Sequence, residues 1–255
     1  MTYLQFHFVY ILPVIVLLAL LQARPMAGIG ARRALTWLGA ILAIAFTYTT
    51  PWDNYLVYRD VWGYGPDRVL ATIGYVPVEE YLFFLLQPIL VGLFYFLLRG
   101  RGWLAAPSKA MPAWFRPLAA TVCLLLAALG AVFLATPPEN TLYMGLILAW
   151  ALPVLAALFW IGGAKVWEDR RRVLAAVAVP TVWLWFADRM AIADGIWYIA
   201  DATRLGIDPL GLPVEEATFF LVTSALCAVG LALFLPRPAD VAEPPHARIE
   251  EPALP

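Results

Sequence analysis

Seven apolar runs separated by short polar stretches divide the chain: Tyr3–Leu21, Ala34–Thr50, Pro77–Leu98, Pro117–Ala135, Thr141–Gly163, Val173–Ala193 and Pro213–Leu235. A run of about 20 apolar residues matches the hydrocarbon thickness of a bilayer. The pattern therefore predicts an all-α integral membrane protein with seven transmembrane helices. The sixth run is the least regular, because Asp188, Arg189 and Asp194 interrupt its end. Pro13 and Pro153 lie inside the first and fifth runs, where they predict kinks. No basic stretch precedes the first run, so it reads as a span rather than a cleaved signal. From Pro236 onward the chain is Pro-rich and polar, which predicts a disordered tail.

Composition agrees with the pattern. Hydrophobic residues make up 63% of the 255 positions, charged residues only 14%, and mean hydropathy is +0.78. A soluble domain has too little interior for so much apolar surface. The net charge of −1 gives no reason to expect a nucleic-acid partner. Cys123 and Cys227 fall in apolar runs and read as buried thiols. His7 and His246 stand far apart, and no CxxC, HExxH, GxGxxG or P-loop occurs, so neither a metal nor a cofactor is expected.

Charge then orients the spans. The polar segments after spans one, three, five and seven hold thirteen of the 17 Lys and Arg residues, and the other side holds Arg59, Arg68, Arg189 and Arg204. By the positive-inside rule the richer side is cytoplasmic, which puts the N-terminus outside and the C-terminus in the cytoplasm of a multi-pass cell-membrane protein. The acids collect at the opposite, outer face.

The chain also repeats itself. Pro77-Val78-Glu79-Glu80 returns as Pro213-Val214-Glu215-Glu216 after 136 residues, and Phe83-Phe84 returns as Phe219-Phe220. Asp53 matches Asp188 and Trp62 matches Trp197, both after 135 residues. Tyr3 and Leu12-Pro13-Val14 match Tyr143 and Leu152-Pro153-Val154 after 140. Spans one to three thus resemble spans five to seven, and span four connects them. Its single crossing makes the two units parallel. The predicted organisation is a first three-helix repeat over 1–98, a linker and connecting helix over 99–138, a second repeat over 139–235 and the tail over 236–255. A pocket between parallel repeats is the natural place for a site.

The repeated motif carries the candidate chemistry. A proline at the first helical position and acids in the first turn suit any helix start, so helix capping is one complete reading. The motif occurs twice, however, and aromatic and aliphatic residues follow at once, which draws the acids to the hydrocarbon boundary. Ionisable groups at that depth face the protein interior. Neighbouring helical residues point about 100° apart, so Glu79 and Glu80 have different surroundings, as do Glu215 and Glu216. Spacing of four pairs Glu79 with Phe83, Glu80 with Phe84, Glu215 with Phe219 and Glu216 with Phe220. An acid beside an aromatic face can deliver a proton and stabilise the cation it makes. Asp53 and Asp188 end the second and sixth spans, ahead of clusters of Trp and Tyr. Those clusters also fit an interfacial aromatic belt.

The paired PVEE motifs with their FF, and the stretches DNYLVYRDVWGY and DRMAIADGIWY, resemble the non-flavin lycopene cyclase family of membrane carotenoid cyclases. The resemblance covers nearly all of residues 3–235 and matches a form with both three-span units in one chain. It implies conversion of the linear ends of lycopene into β-ionone rings through monocyclic γ-carotene, inside the lipid bilayer and without a cofactor. Glu79, Glu80, Glu215 and Glu216 would then supply the acid and base, with Asp53 and Asp188 orienting or relaying protons. Phe83, Phe84, Phe219, Phe220, Trp62 and Trp197 would line the substrate site. A proton-coupled carrier is the alternative, since repeats and boundary acids also mark secondary transporters. A retinal protein would need a lysine in the last span, and Lys109 and Lys165 border loops.

Overall fold

The computed structural model describes residues 1–107, 109–136, 138–237 and 240; the rest of the expected disordered tail, from 241 on, lies outside the described residues. Among the described residues seven helices are long and apolar enough to cross a membrane: α1 (Tyr3–Leu20), α2 (Ala31–Tyr58), α3 (Val78–Gly100), α4 (Phe115–Ala135), α5 (Leu142–Glu168), α6 (Arg170–Ala193) and α7 (Val214–Phe234).

Several helix ends depart from the apolar pattern. Hydropathy falls after Thr50, yet α2 continues through Pro51 to Tyr58. Its last turns are held by inward packing, because Trp52, Asp53 and Leu56 are all buried. Asp53 therefore sits inside the helix rather than at its end. Likewise α6 runs unbroken through Asp188 and Arg189 to Ala193. Pro77 and Pro213 are extended N-cap residues, one place ahead of the expected position, and both glutamate pairs remain in the first turn. The two internal prolines behave differently. His7–Ile11 form a π turn ahead of Pro13, a local widening that accommodates a proline unable to donate to the preceding turn. By contrast, α5 runs through Pro153 as one helix.

The helices are arranged around α3 and α7, of which 72% and 56% of the apolar window is buried. These two pack on each other; α1 and α2 pack on α3, α5 and α6 pack on α7, and α3 also contacts α6 while α2 contacts α7. At the α3–α7 contact Gln87 donates to Thr223 at 2.7 Å. These residues are 136 apart, so the hydrogen bond joins corresponding positions of the repeat. The connecting helix α4 lies outside, against α5. A Cβ on Gly130 would stand 2.9 Å from the Gly145 carbonyl oxygen, so small residues let these two backbones touch.

The described residues are overwhelmingly helical, with one addition the apolar pattern did not anticipate. β1 (Trp62–Tyr64) pairs antiparallel with β4 (Trp197–Ile199), matching Trp62 to Ile199 and Tyr64 to Trp197. Flanking bonds extend the ladder: Gly65 N–H donates to Ile196 O at 3.0 Å and Ala200 N–H to Val61 O at 2.9 Å. A second short pair, β2 (Thr72–Ile73) with β3 (Val76–Pro77), leads into α3. The β1–β4 ladder lies over the N-terminal ends of α3 and α7. The other end of the bundle is fastened by buried Asp169, which accepts from Arg172 at 2.6 Å and from the Tyr95 hydroxyl at 2.6 Å, with Arg99 at 3.9 Å.

Candidate active site

The two glutamates of each motif have different surroundings because one residue of helix turns the side chain by about 100°. Glu79 Oε1 accepts from the Leu70 N–H at 2.9 Å, and Glu215 Oε1 accepts from the Leu205 N–H at 2.7 Å. Both carboxyls are buried and pin the loop that leads into their own helix. Glu80 and Glu216 turn the other way and meet in one cavity of about 50 Å³ between the repeated halves.

That cavity gathers four carboxyl groups: Asp53 from α2, Glu80 from α3, Asp188 from α6 and Glu216 from α7. Phenols hold the glutamates. Tyr3 donates to Glu80 Oε2 at 2.7 Å, and Tyr143 donates to Glu216 Oε1 at 2.7 Å. Tyr64 adds a second donor to Glu80 Oε2, at 3.2 Å. Burial, then the neighbouring Glu80 and Asp53 carboxyls, holds the Tyr64 phenol well above its ordinary range, so it stays a neutral donor. Asp188 Oδ1 accepts from the Trp197 indole N–H at 2.9 Å, and among the described residues the Oδ2 atoms of both Asp53 and Asp188 are buried without a partner. Among the described residues no Lys, Arg or His pairs with any of the four. Four carboxyl groups side by side form an assembly in which a proton can pass from one to the next.

Aromatic rings form the remaining walls. Trp62 packs on Tyr143 of the other half at 5.4 Å between centroids, and Trp197 packs on Tyr3 at 4.8 Å. Phe83, Phe219 and Phe220 line the cavity, with Phe83 edge-on to Phe220 at 6.0 Å and Phe219 edge-on to Phe220 at 5.3 Å. Phe84 stands elsewhere, against Phe46 and Tyr81. The expected pairing at a spacing of four therefore holds within the cavity only for Glu216 with Phe220. Glu80 shares it with Phe83, and Glu216 also with Phe219, both at a spacing of three.

Of the site residues expected from sequence, Asp53, Asp188, Glu80, Glu216, Phe83, Phe219, Phe220, Trp62 and Trp197 come together here. Glu79, Glu215 and Phe84 do not line the cavity. Three phenols were missed. Tyr3 and Tyr143 already stood in the repeat, which was a usable signal; Tyr64 has no repeated partner and gave none. The aromatic-belt reading also divides. Tyr55 and Tyr58 are exposed, but Trp52 is buried and stacks on Trp150 at 4.4 Å. Trp183 and Trp185 donate to the Tyr10 and Ala217 carbonyls, each at 2.9 Å.

The chain resembles known proteins along most of its length. It is 42% identical over 239 residues to the lycopene beta-cyclase of Halobacterium salinarum strain R1, covering 91% of this chain and 95% of that protein. A bifunctional lycopene cyclase/phytoene synthase of Phycomyces blakesleeanus is 36% identical over 236 residues, covering 87% of this chain but 37% of that protein. The protein of the same name from Neurospora crassa is 34% identical over 237 residues, covering 89% and 38%. No family model matches the chain, and no solved structure does.

Proposed function

The chain belongs to the lycopene beta-cyclase family, and from that premise we propose that it closes β-ionone rings on the ends of lycopene, with γ-carotene as the monocyclic intermediate. The observation that carries the reading is the meeting of four carboxyl groups with aromatic rings in one cavity. The relatives' names lend the carrier reading no support.

The reaction is an isomerisation. A carboxylic acid gives its proton to the terminal double bond of the polyene, leaving a tertiary cation. The next double bond along the chain attacks that cation, forming the ring bond and moving the positive charge into the ring. A carboxylate then removes a ring proton, and its bonding electrons become the ring double bond. One proton enters and one leaves, so atoms and electrons balance without an oxidant.

Glu80 and Glu216 are the proton-handling pair in this reading, with Asp53 and Asp188 passing protons between them. Phe83, Phe219 and Phe220 present ring faces and edges to the cation, and cation–π attraction is strongest in a desolvated site. Trp62 and Trp197 close the cavity at the ladder end. Glu79 and Glu215 act as loop anchors, and Phe84 belongs to the substrate's apolar path. Residues 1–98 and 139–235 form the two repeats, joined by the linker and helix of 99–138. The Lys and Arg distribution supports an outer-face position for the ladder and carboxyl cavity, with the N-terminus outside and the C-terminus cytoplasmic.

Expression in a lycopene-accumulating host tests the reading. Chromatography of extracted pigments should show γ-carotene and β-carotene replacing lycopene. An unchanged lycopene profile, with the protein present in membranes, would refute it.

A further inference from the structure

Beside the carboxyl cavity lies a second, larger space of about 270 Å³. Its walls are α2 (Ile41, Ala45), α5 (Val154, Leu158), α3 and α7. Two residues, Phe83 and Phe219, line both spaces, so the second lies next to the first with a pair of aromatic rings at their border. Its wall is almost wholly apolar. Two of its polar side chains are paired, Gln87 donating to Thr223 at 2.7 Å while the Thr223 hydroxyl donates to the Phe219 carbonyl at 2.7 Å; Thr49 and Tyr48 also line it.

The groove faces the lipid sideways. α2 packs on α3 and α7 rather than along α5, which leaves a seam between α2 and α5. The seam is bridged toward the ladder end, where the Tyr48 hydroxyl donates to the Trp150 carbonyl at 2.9 Å with their rings stacked at 5.2 Å, and where Trp52 stacks on Trp150 at 4.4 Å and donates to the Leu146 carbonyl at 3.4 Å. Ile44 and Tyr48 on its rim are 54% and 40% exposed, so the mouth opens to the bilayer rather than to water. Along α7 the wall runs from Phe219 to Phe234, about 22 Å at roughly 1.5 Å per residue. That shape fits an extended apolar chain rather than a compact solute.

The repeat is broken at the wall itself. Gly230 in α7 corresponds, after 136 residues, to Phe94 in α3. A Cβ on Gly230 would already stand 3.0 Å from the Ile41 side chain. At the groove wall a glycine thus lets Ile41 of α2 approach α7 closely, where the corresponding position of the other half carries a phenylalanine.

We propose that the α2–α5 groove, and not its counterpart on the α6 side, receives the linear polyene from the lipid and holds its shaft while the end reaches the carboxyl cavity past Phe83 and Phe219. This rests on the cyclase reading above. It follows that both ends of one molecule use the same groove, in two separate binding events.

The test fills the groove from opposite walls, with Gly230→Phe and Ala45→Phe. The control is Gly39→Phe, because a Cβ on Gly39 meets nothing within 4 Å. Wild type and the three variants are expressed in lycopene-accumulating cells, and cyclised product is measured per amount of membrane-inserted protein. Both groove variants should lose at least tenfold, and the purified proteins should lose their co-purified lycopene, while Gly39→Phe behaves as wild type. Where a bulky variant fails to accumulate, Gly230→Ala and Ala45→Val are read instead, with at least a threefold fall expected. Wild-type rates and lycopene retention in the groove variants would overturn the proposal. If wild type leaves lycopene unchanged, the cyclase reading fails by itself, and lycopene retention by wild type against Gly230→Phe still decides whether the groove binds the polyene.

Discussion

The Tyr64 hydroxyl donates to Glu80 Oε2 at 3.2 Å, and among the described residues Glu216 receives no corresponding bond. The shift of 135 that carries Trp62 onto Trp197 carries Tyr64 onto Ile199, a side chain with no donor. Among the described residues Glu80 therefore has two phenol donors, from Tyr3 and Tyr64, and Glu216 has one, from Tyr143. In the proposed reaction the two glutamates are thus held differently.

Tyr64→Phe tests that asymmetry. A hydrogen bond to a charged group contributes about 1.5–3 kcal/mol, which corresponds to a fall of roughly 10- to 100-fold in rate if it acts in the transition state. The initial rate of ring formation in isolated membranes is the measurement. A wild-type rate in Tyr64→Phe would remove Tyr64 from the proton-handling assembly.

The two glutamates of each motif should respond differently to the same change. Glu80→Gln and Glu216→Gln each lose proton transfer, so cyclised product should vanish while the protein remains in the membrane. In Glu79→Gln and Glu215→Gln the amide oxygen can still accept from Leu70 N–H or Leu205 N–H, and turnover should stay close to wild type. Glu79→Ala leaves that N–H without its acceptor, at a cost of about 1–3 kcal/mol if it is buried, and should lower the amount of folded protein. Pigment chromatography normalised to immunoblot separates these outcomes. Loss of turnover in Glu79→Gln at normal protein levels would contradict the anchor role.

The spans were legible because a bilayer leaves a crossing helix little choice but a long apolar run. Helix ends were less so. At Asp53 the chain turns polar while its backbone hydrogen bonding continues, and buried packing rather than hydropathy carries α2 on to Tyr58. The β1–β4 ladder left no trace. Each strand is three residues long, too short for alternation to register, and its partner lies in the other half of the chain. At the site, the repeat singled out the carboxyls and most of the rings. It could not choose between Glu79 and Glu80, because that choice depends on where each side chain points once the helix is docked. Tyr3 and Tyr143 were visible as repeated residues, but a Tyr at a membrane boundary equally suits an aromatic belt. Tyr64 serves one half only, so a search for repetition passes over it.

The connecting helix offers a test of which parts of the fold the site needs. No residue of α4 lines either cavity. A Cβ on Gly130 would stand 2.7 Å from Leu148 Cβ and 2.8 Å from the Ala149 nitrogen. Gly130→Leu must therefore push α4 away from α5, and overpacking of this kind costs about 1–3 kcal/mol. The expected result is a lower melting temperature in detergent with ring formation retained at temperatures below it. Complete loss of activity in a variant that still melts cooperatively would mean that α4 shapes the site.

At the opposite end of the bundle, stability should depend on Asp169. It lies between the buried Arg172 and Arg99 and also takes the Tyr95 hydroxyl, and its own side chain is 2% exposed. Asp169→Ala would leave two arginines facing each other without an anion. Removing one member of a buried ion pair costs about 3–5 kcal/mol, more than a neutral cavity of the same size would. Arg172 also donates to the Trp103 carbonyl at 2.7 Å and Arg99 to the Pro236 carbonyl at 3.0 Å, so the loss should spread to the linker and the end of α7. We expect Asp169→Ala to lower the melting temperature and to speed proteolysis near Trp103 and Pro236, with the ratio of monocyclic to bicyclic product unchanged in whatever protein remains folded. A changed product ratio at unchanged stability would show that this end of the bundle communicates with the carboxyl cavity.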